Sequence, residues 1–307
     1  MGNARTFLIN WALARQFDWQ ILLRIDDLDG PRVKAGADRQ AIDDLAWLGI
    51  DWDDGPVYES ACLPAYREAI DRLWTGHEIY ACACTRAEIE LASAPHAGDH
   101  ELRYPGTCRE ARQTSGPSDA GDPDCGSPPE LAPSDRCWRL HCPRGLATFE
   151  DQLLGRQECD VQEQVGDFVV LTKAGLPSYQ LATVVDDRLH GITDIVRGDD
   201  LVDSTFRQLL IRERLGYDNS LRYWHLPIVV GEDGRRLAKR HGDSRISHYR
   251  ELGVPPQRVL GLLRSWCGGE RRPCEIDWFR ESFQIASLPR ERVTMTVADH
   301  HWLLGIR

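Results

Sequence analysis

QILLRIDDLDGPR, residues 20–32, places a short β-rich run directly ahead of an acidic turn. In an open parallel sheet, ligands bind beyond the carboxyl ends of the strands, so Arg24, Asp26, Asp27 and Asp29 stand where chemistry is expected. Carboxylates there can hold an amine, a ribose hydroxyl or Mg²⁺. An acidic turn that caps the next helix explains the same residues equally well.

Working outward, the run is flanked by helices. Upstream, in FLINWALARQ, Ala4, Phe7, Leu8, Trp11 and Ala14 recur near a 3.6-residue period and predict one apolar face. Gly2 and Asn3 stand at the mouth of that helix. A glycine there usually lets backbone approach a phosphate, a geometry that normally follows a strand. Downstream, a helix is expected over 37–48 with Gly49 as its stop. Ser60 is expected to cap a third helix, whose shared face is Leu63, Tyr66, Ile70, Leu73 and Trp74.

EIYACAC, CWRL, DFVVLT, ITDIVRG and RYWHLPIVV read as strands, and LATVVDDRL reads as a helix. Thr85 with Glu88 forms a capping box. Ser204 is expected to cap STFRQLLIRERLG, closed by Gly216. Two more helices follow Arg245 and Pro256. Between about 93 and 135 the texture changes, and TSGPSDAGDPDCGSPPELAPSD reads as a flexible insertion with no core of its own. The order implies an α/β fold: a parallel sheet split by an insertion, then a small helical tail.

Composition bounds the rest. The chain has 307 residues, 42% hydrophobic and 28% charged, as in ordinary globular proteins. No apolar run approaches a membrane span, and no leader pattern is visible, so a cytoplasmic protein is expected. A net charge of −11 makes nucleic acid a non-default partner. Local patches still count, and Arg235, Arg236, Lys239, Arg240, Arg245 and Arg250 crowd one stretch. Such a run is also what a solvated basic loop looks like. Of the ten cysteines, Cys82, Cys84, Cys108, Cys125, Cys137 and Cys142 share one window, where metal binding is a better first reading than a disulfide framework.

Cys82, Cys84 and Cys108 would suit a tetrahedral Zn²⁺ site with Tyr104 as an unusual fourth ligand. Cys125, Cys137, Cys142, His96 and His100 compete for that place, and the spacing alone equally fits reduced, half-buried thiols. Arg197, at the end of ITDIVRG, could grip a carboxylate bidentately. Asp186 and Asp187 read as structural, and Tyr179 fits a core as well as a site. Lys239, in a loop after the last strand, could stabilise charge on transferring phosphates.

In order, GNAR, LLRIDDLD, WLGIDWDDGP, CAC…YPGTCR, YQLATVVDD, VRGDDLVDSTFRQ and RLAKRHG resemble the catalytic core of the glutamyl-tRNA synthetases, a class I synthetase family. The resemblance spans nearly the whole chain apart from 111–135 and the last helices. It implies a Rossmann-like sheet carrying a zinc-bearing insertion. On that reading residues 1–78 are the first half of the nucleotide-binding domain. Residues 79–175 are the insertion, with 111–135 flexible. Residues 176–243 are the second half, and 244–307 a helical tail.

Full-length members carry a large anticodon-binding region after the lysine loop, whereas here the chain reaches Arg307 soon after Lys239. That brevity, YQLA and the Cys-x-Cys…Tyr-x3-Cys set are similar to the short paralogues that attach glutamate to the queuosine base of tRNA(Asp). The resemblance then implies ATP, with Mg²⁺, and L-glutamate as substrates, tRNA(Asp) carrying queuosine as partner, structural Zn²⁺, and a monomer. It assigns Lys239 to ATP and catalysis, Gly2 and Asn3 to ATP, Asp26, Tyr179 and Arg197 to glutamate, and Cys82, Cys84, Tyr104 and Cys108 to zinc. The rival readings are a fragment of a tRNA(Glu)-charging synthetase and a non-catalytic RNA- or nucleotide-binding relic.

The chain departs from the pattern at three places. Asp26 stands where the family has glutamate, Arg236 and Ala238 stand where lysine and serine are usual, and the strand, phosphate loop and histidine that precede Gly-Asn-Ala-Arg are absent. The last departure leads to the expectation that Met1 is an internal valine codon read as a start, with some twenty residues preceding it (about one strand-plus-loop unit).

Overall fold

The computed structural model describes residues 1–28, 34–92, 103–109, 128–237 and 244–306. The chain divides into two compact units. One is Met1–Tyr58, Val196–Asp200 and His225–Arg307; the other is Glu59–Ile195 and Leu201–Trp224.

In the first unit, helix Gly2–Phe17 buries Leu8, Ile9, Ala12 and Leu13 completely or nearly so. Trp11 and Ala14 are buried as expected, but Phe7 is 48% exposed, so the apolar stripe is narrower than the sequence suggests. Arg5 takes the place on the buried face instead. Its Nη1 donates to Pro227 O (2.5 Å), and its Nε and Nη2 donate to Trp266 O (3.2 and 3.0 Å). A buried guanidinium that meets carbonyls retains its hydrogen bonds, and here it fixes the start of the helix to two distant loops.

Strands Leu22–Ile25 and Asp54–Tyr58 pair in parallel, Leu22 opposite Asp54. Helix Ala37–Trp47 lies between them in sequence, and Gly49 follows it at φ 82°. Gly55 is obligatory: a Cβ there would meet Leu23 O at 2.4 Å. Trp11 Nε1 donates to Asp51 Oδ1 (2.5 Å), and Arg15 pairs with Asp51 and Asp53. Through these bonds IDWDD ties the first helix to the strand pair.

RYWHLPIVV does not run as one strand. It breaks at Pro227 into Arg222–Leu226 and Val229–Val230, and the latter pairs in parallel with Val293–Thr294. The two expected late helices are Ile246–Glu251 and Pro256–Ser265. Ile276–Ser282 and Val297–Leu304 follow them, unread in the sequence because each is short.

The second unit contains an antiparallel sheet of Ile79–Cys82, Cys137–Leu140 and Phe168–Leu171. Beside it helix Leu63–Thr75 buries Tyr66, Ala69, Ile70 and Leu73. Ser60 does not cap that helix; it lies in a 3-10 turn, Glu59–Cys62, that runs straight into it. Ser204 likewise lies inside helix Val202–Arg214, where it accepts from Gln180 Nε2 (3.0 Å) rather than capping. The Thr85–Glu88 capping box is formed, Thr85 N donating to Glu88 Oε2 and Glu88 N to Thr85 Oγ1. Tyr66 donates to Asp186 Oδ1 (2.7 Å), which makes Asp186 the structural group the sequence suggested.

A hairpin, Leu146–Asp151 with Gly155–Asp160, went unread because its many charged residues hide the alternation. Its signal is Asp151, buried, whose Oδ1 accepts from Leu153 N and Leu154 N and shapes the turn. The hairpin continues to Arg222–Leu226, Asp151 in parallel register with Tyr223, and Asp194–Gly198 is the next strand. Among the described residues the strands thus form short parallel, antiparallel and mixed groups, where one split parallel sheet was expected. Residues 93–100 and most of the expected flexible insertion lie outside the described residues. No described helix is long and apolar enough to cross a membrane.

Candidate active and metal sites

The first unit holds Gly2, Asn3, Asp26 and Arg197. Gly2 and Asn3 open the first helix, whose N-cap, Met1, makes no side-chain capping bond. Asn3 Oδ1 accepts from Arg236 Nη2 (3.5 Å), and Arg236 is itself paired with Asp200 (3.2 Å). RLAKR is therefore anchored beside GNAR at its first residue. Lys239 lies outside the described residues, as does Asp29. Asp26, just past strand Leu22–Ile25, accepts from Arg24 Nε (2.7 Å) and is half exposed.

Arg197 ends a strand and is buried. Its Nε donates to Nε2 of the fully buried His225 (3.1 Å). The acceptor in this bond is the lone pair of an imidazole nitrogen, which gives the guanidinium a fixed partner inside the core. Sequence reasoning passed over His225, although RYWHLP shows a histidine on a strand. The turn after Arg197 is held by Asp199, which accepts from Ile228 N and pairs with Arg292. A Cβ on Gly198 would meet Asp200 Oδ1 at 2.4 Å and Ile228 Cγ2 at 2.7 Å, so a larger residue would have to displace both side chains.

In the second unit Tyr179 opens helix Tyr179–Leu189, capped by Ser178, and is 44% exposed. It is not a core residue. An exposed tyrosine at a helix start is free to meet a ligand.

The same unit brings Cys82, Cys84, Tyr104 and Cys108 together. The three sulfurs lie within 4.8 Å of one another, close enough to share a metal ion. Tyr104 Oη stands 3.5 Å from Cys82 Sγ and 3.6 Å from Cys84 Sγ, and Cys84 and Cys108 sulfurs are 3.5 Å apart. A tetrahedral zinc with Zn–S near 2.3 Å separates its sulfurs by about 3.8 Å, so the donor set fits the ion. Cys108 N–H donates to Tyr104 Oη (2.8 Å) and directs the phenol oxygen into the cluster. The competing thiols hold other bonds: Cys137, packed beside Cys82, donates to Cys82 O, and Cys142 donates to Gly166 O. Cys125, His96 and His100 lie outside the described residues.

The electrostatics favour an anion at Cys82. The Cys137 thiol, then Tyr104 and Arg139, hold the Cys82 thiol well below its usual range despite burial. Burial pushes Cys84 up, and burial also raises Tyr104. A buried carboxylate, Asp167, braces the cluster from behind. It accepts from Tyr80 Oη (2.6 Å) and Cys142 N (2.9 Å) and pairs with Arg109 (3.3 Å).

The family described as tRNA synthetases class I (E and Q), catalytic domain, matches residues 1–285. The chain belongs to this family. Membership places it among the class I aminoacyl-tRNA synthetase-like ligases. A relative in Rhodopirellula baltica, named glutamyl-Q tRNA(Asp) synthetase, is 43% identical over 85% of this chain and 78% of its own. A protein of the same name in Symbiobacterium thermophilum is 40% identical over 95% of this chain and 91% of its own. In fold, the class I synthetase chain is similar to a glutamate tRNA ligase crystal structure from Elizabethkingia meningosepticum CCUG26117. That likeness has a TM-score of 0.74 at 19% identity, covering 98% of this chain and 65% of that one.

Proposed function

We propose that this class I synthetase activates L-glutamate with ATP as glutamyl-adenylate and transfers it to the queuosine base of tRNA(Asp). The observation that carries the reading is the 43% identity, over most of the chain, to a relative named glutamyl-Q tRNA(Asp) synthetase. In the first step a glutamate α-carboxylate oxygen attacks the ATP α-phosphorus, a P–O bond breaks, and pyrophosphate leaves. In the second, a hydroxyl oxygen of the modified base attacks the acyl carbon and AMP leaves.

Arg197 holds the glutamate side-chain carboxylate, with His225 fixing its orientation through Nε. Asp26 receives the substrate amine and exchanges Arg24 for it in part. Tyr179 adds a hydroxyl contact. The amides that begin the first helix, at Gly2 and Asn3, meet the nucleotide phosphates, and Lys239 stabilises the charge that develops on them. Mg²⁺ enters with ATP. Zinc held by Cys82, Cys84, Tyr104 and Cys108 would cross-link the segments that carry them, a structural task. Catalysis on this reading is positioning plus charge stabilisation.

The test is glutamate-dependent ATP–pyrophosphate exchange without tRNA, followed by transfer of labelled glutamate to queuosine-containing tRNA(Asp) and to tRNA(Glu). Exchange without tRNA and labelling of tRNA(Asp) alone are expected. Labelling of tRNA(Glu) would replace this function with terminal charging. Silence in every arm would leave a binding relic.

A further inference from the structure

The metal cluster has a charge problem. Three thiolates and a phenolate around a divalent ion leave two surplus negative charges, in a place where Cys82 is fully buried and Tyr104 is 4% exposed. Buried charge that is not balanced is costly. The balancing group is visible in the strand register. Ile79–Cys82 and Cys137–Leu140 pair antiparallel with Cys82 opposite Cys137 and Tyr80 opposite Arg139. Side chains two apart share a face, so Arg139 projects on the face that carries Cys82.

Arg139 is buried. Its Nη1 donates to Asp167 O (3.1 Å), which fixes the guanidinium plane. Its Cζ stands 4.0 Å from the Tyr104 ring centroid, and its buried Nε has no hydrogen-bond partner. A cation over an aromatic face is attracted by the ring's electrons, and the attraction grows when the ring's oxygen carries negative charge. The guanidinium therefore favours the one ligand of the set that spacing explains least.

We propose that Arg139 is the positioning and charge-balancing residue of the metal site, holding Tyr104 as fourth ligand and offsetting the surplus charge of the donor set. The inference rests on the zinc reading of the four donors. Arg139 does not touch the ion; it acts through the Tyr104 ring and through the Cys82 thiolate on whose face it lies. Groups of this kind set metal affinity by about 10–100-fold without being ligands.

The experiment is zinc affinity by chelator competition, with stoichiometry by elemental analysis, on the full chain and on Arg139→Gln, Arg139→Lys, Tyr104→Phe and the Arg139→Gln/Tyr104→Phe pair. Arg139→Gln is expected to weaken zinc by about tenfold or more, and Arg139→Lys by less because the charge survives. In the Tyr104→Phe background, Arg139→Gln should cost clearly less than in the parent, since the oxygen it supports is gone and only the thiolate charge is left to offset. Equal zinc affinity in Arg139→Gln and the parent, or full additivity in the pair, overturns the proposal. Should Arg139→Gln not fold, the parent protein carries the test. With nitrogen-labelled arginine, the Arg139 Nε–H resonance should move on zinc addition and move less in Tyr104→Phe. No movement in the parent overturns it too. A parent that binds no zinc defeats the metal reading itself, which is a separate result.

Discussion

Arg109 follows the cluster thiol Cys108 directly and pairs at 3.3 Å with Asp167, a carboxylate 2% exposed. The same carboxylate receives Tyr80 Oη and Cys142 N. One buried anion thus joins the Cys108 segment to the Ile79–Cys82 strand and to Cys142, two residues past the Cys137–Leu140 strand. Asp167→Ala would leave Arg109 and the Tyr80 hydroxyl without their acceptor. The expected cost is about 3 kcal/mol in urea unfolding, together with weaker zinc binding by chelator competition.

Tyr66 and Asp186 form a second buried polar pair, at 2.7 Å, between helices Leu63–Thr75 and Tyr179–Leu189. Burial and the bond to Asp186 raise the Tyr66 phenol, so it remains a donor at every working pH. Tyr66→Phe removes that donor and leaves a buried carboxylate short of one bond. A loss of about 2 kcal/mol in denaturant unfolding is expected.

Acid should loosen the first unit. Asp51 is held below the usual carboxylate range by donation from Trp11 and then Arg15, and Asp53 by Arg15 and then the Ile21 amide. A carboxylate depressed in the folded state stabilises it above the unfolded pKa. That contribution is lost as pH falls below ~4 through the folded value. The urea midpoint should therefore fall between ~pH 5 and ~pH 3 less steeply in Asp51→Asn than in the parent. Both carboxylates are partly exposed, so solvent screening keeps the difference small.

Arg197 gives the proposed function its sharpest kinetic test. Replacing it with Gln removes a charge-assisted grip on a carboxylate, so KM for glutamate in the exchange assay should rise about 10–100-fold. KM for ATP should change far less. His225→Leu, which removes the acceptor of Arg197 Nε, should raise the same KM by a smaller factor.

Local signals were enough to mark much of this molecule. The first helix, the strand before Asp26 and the Thr85–Glu88 box follow from periodicity and capping chemistry, which depend only on neighbours in the chain. The ordered set of motifs, taken together, marked the family, because side-chain chemistry in a fixed order is written in the sequence itself. Tertiary structure alone decided the rest. Arg5 is interior because the carbonyls of Pro227 and Trp266, remote in sequence, accept its hydrogen bonds. Ser204 is no cap because the helix begins before it, at Val202, and its hydroxyl oxygen accepts from Gln180 on another helix. Tyr104 Oη stands among the three thiols because the Cys108 amide donates to it, whereas Cys137, directly opposite Cys82 in register, turns its own thiol to the Cys82 carbonyl. Partnership between residues far apart in the chain depends on register and packing, and no local pattern of residues encodes it.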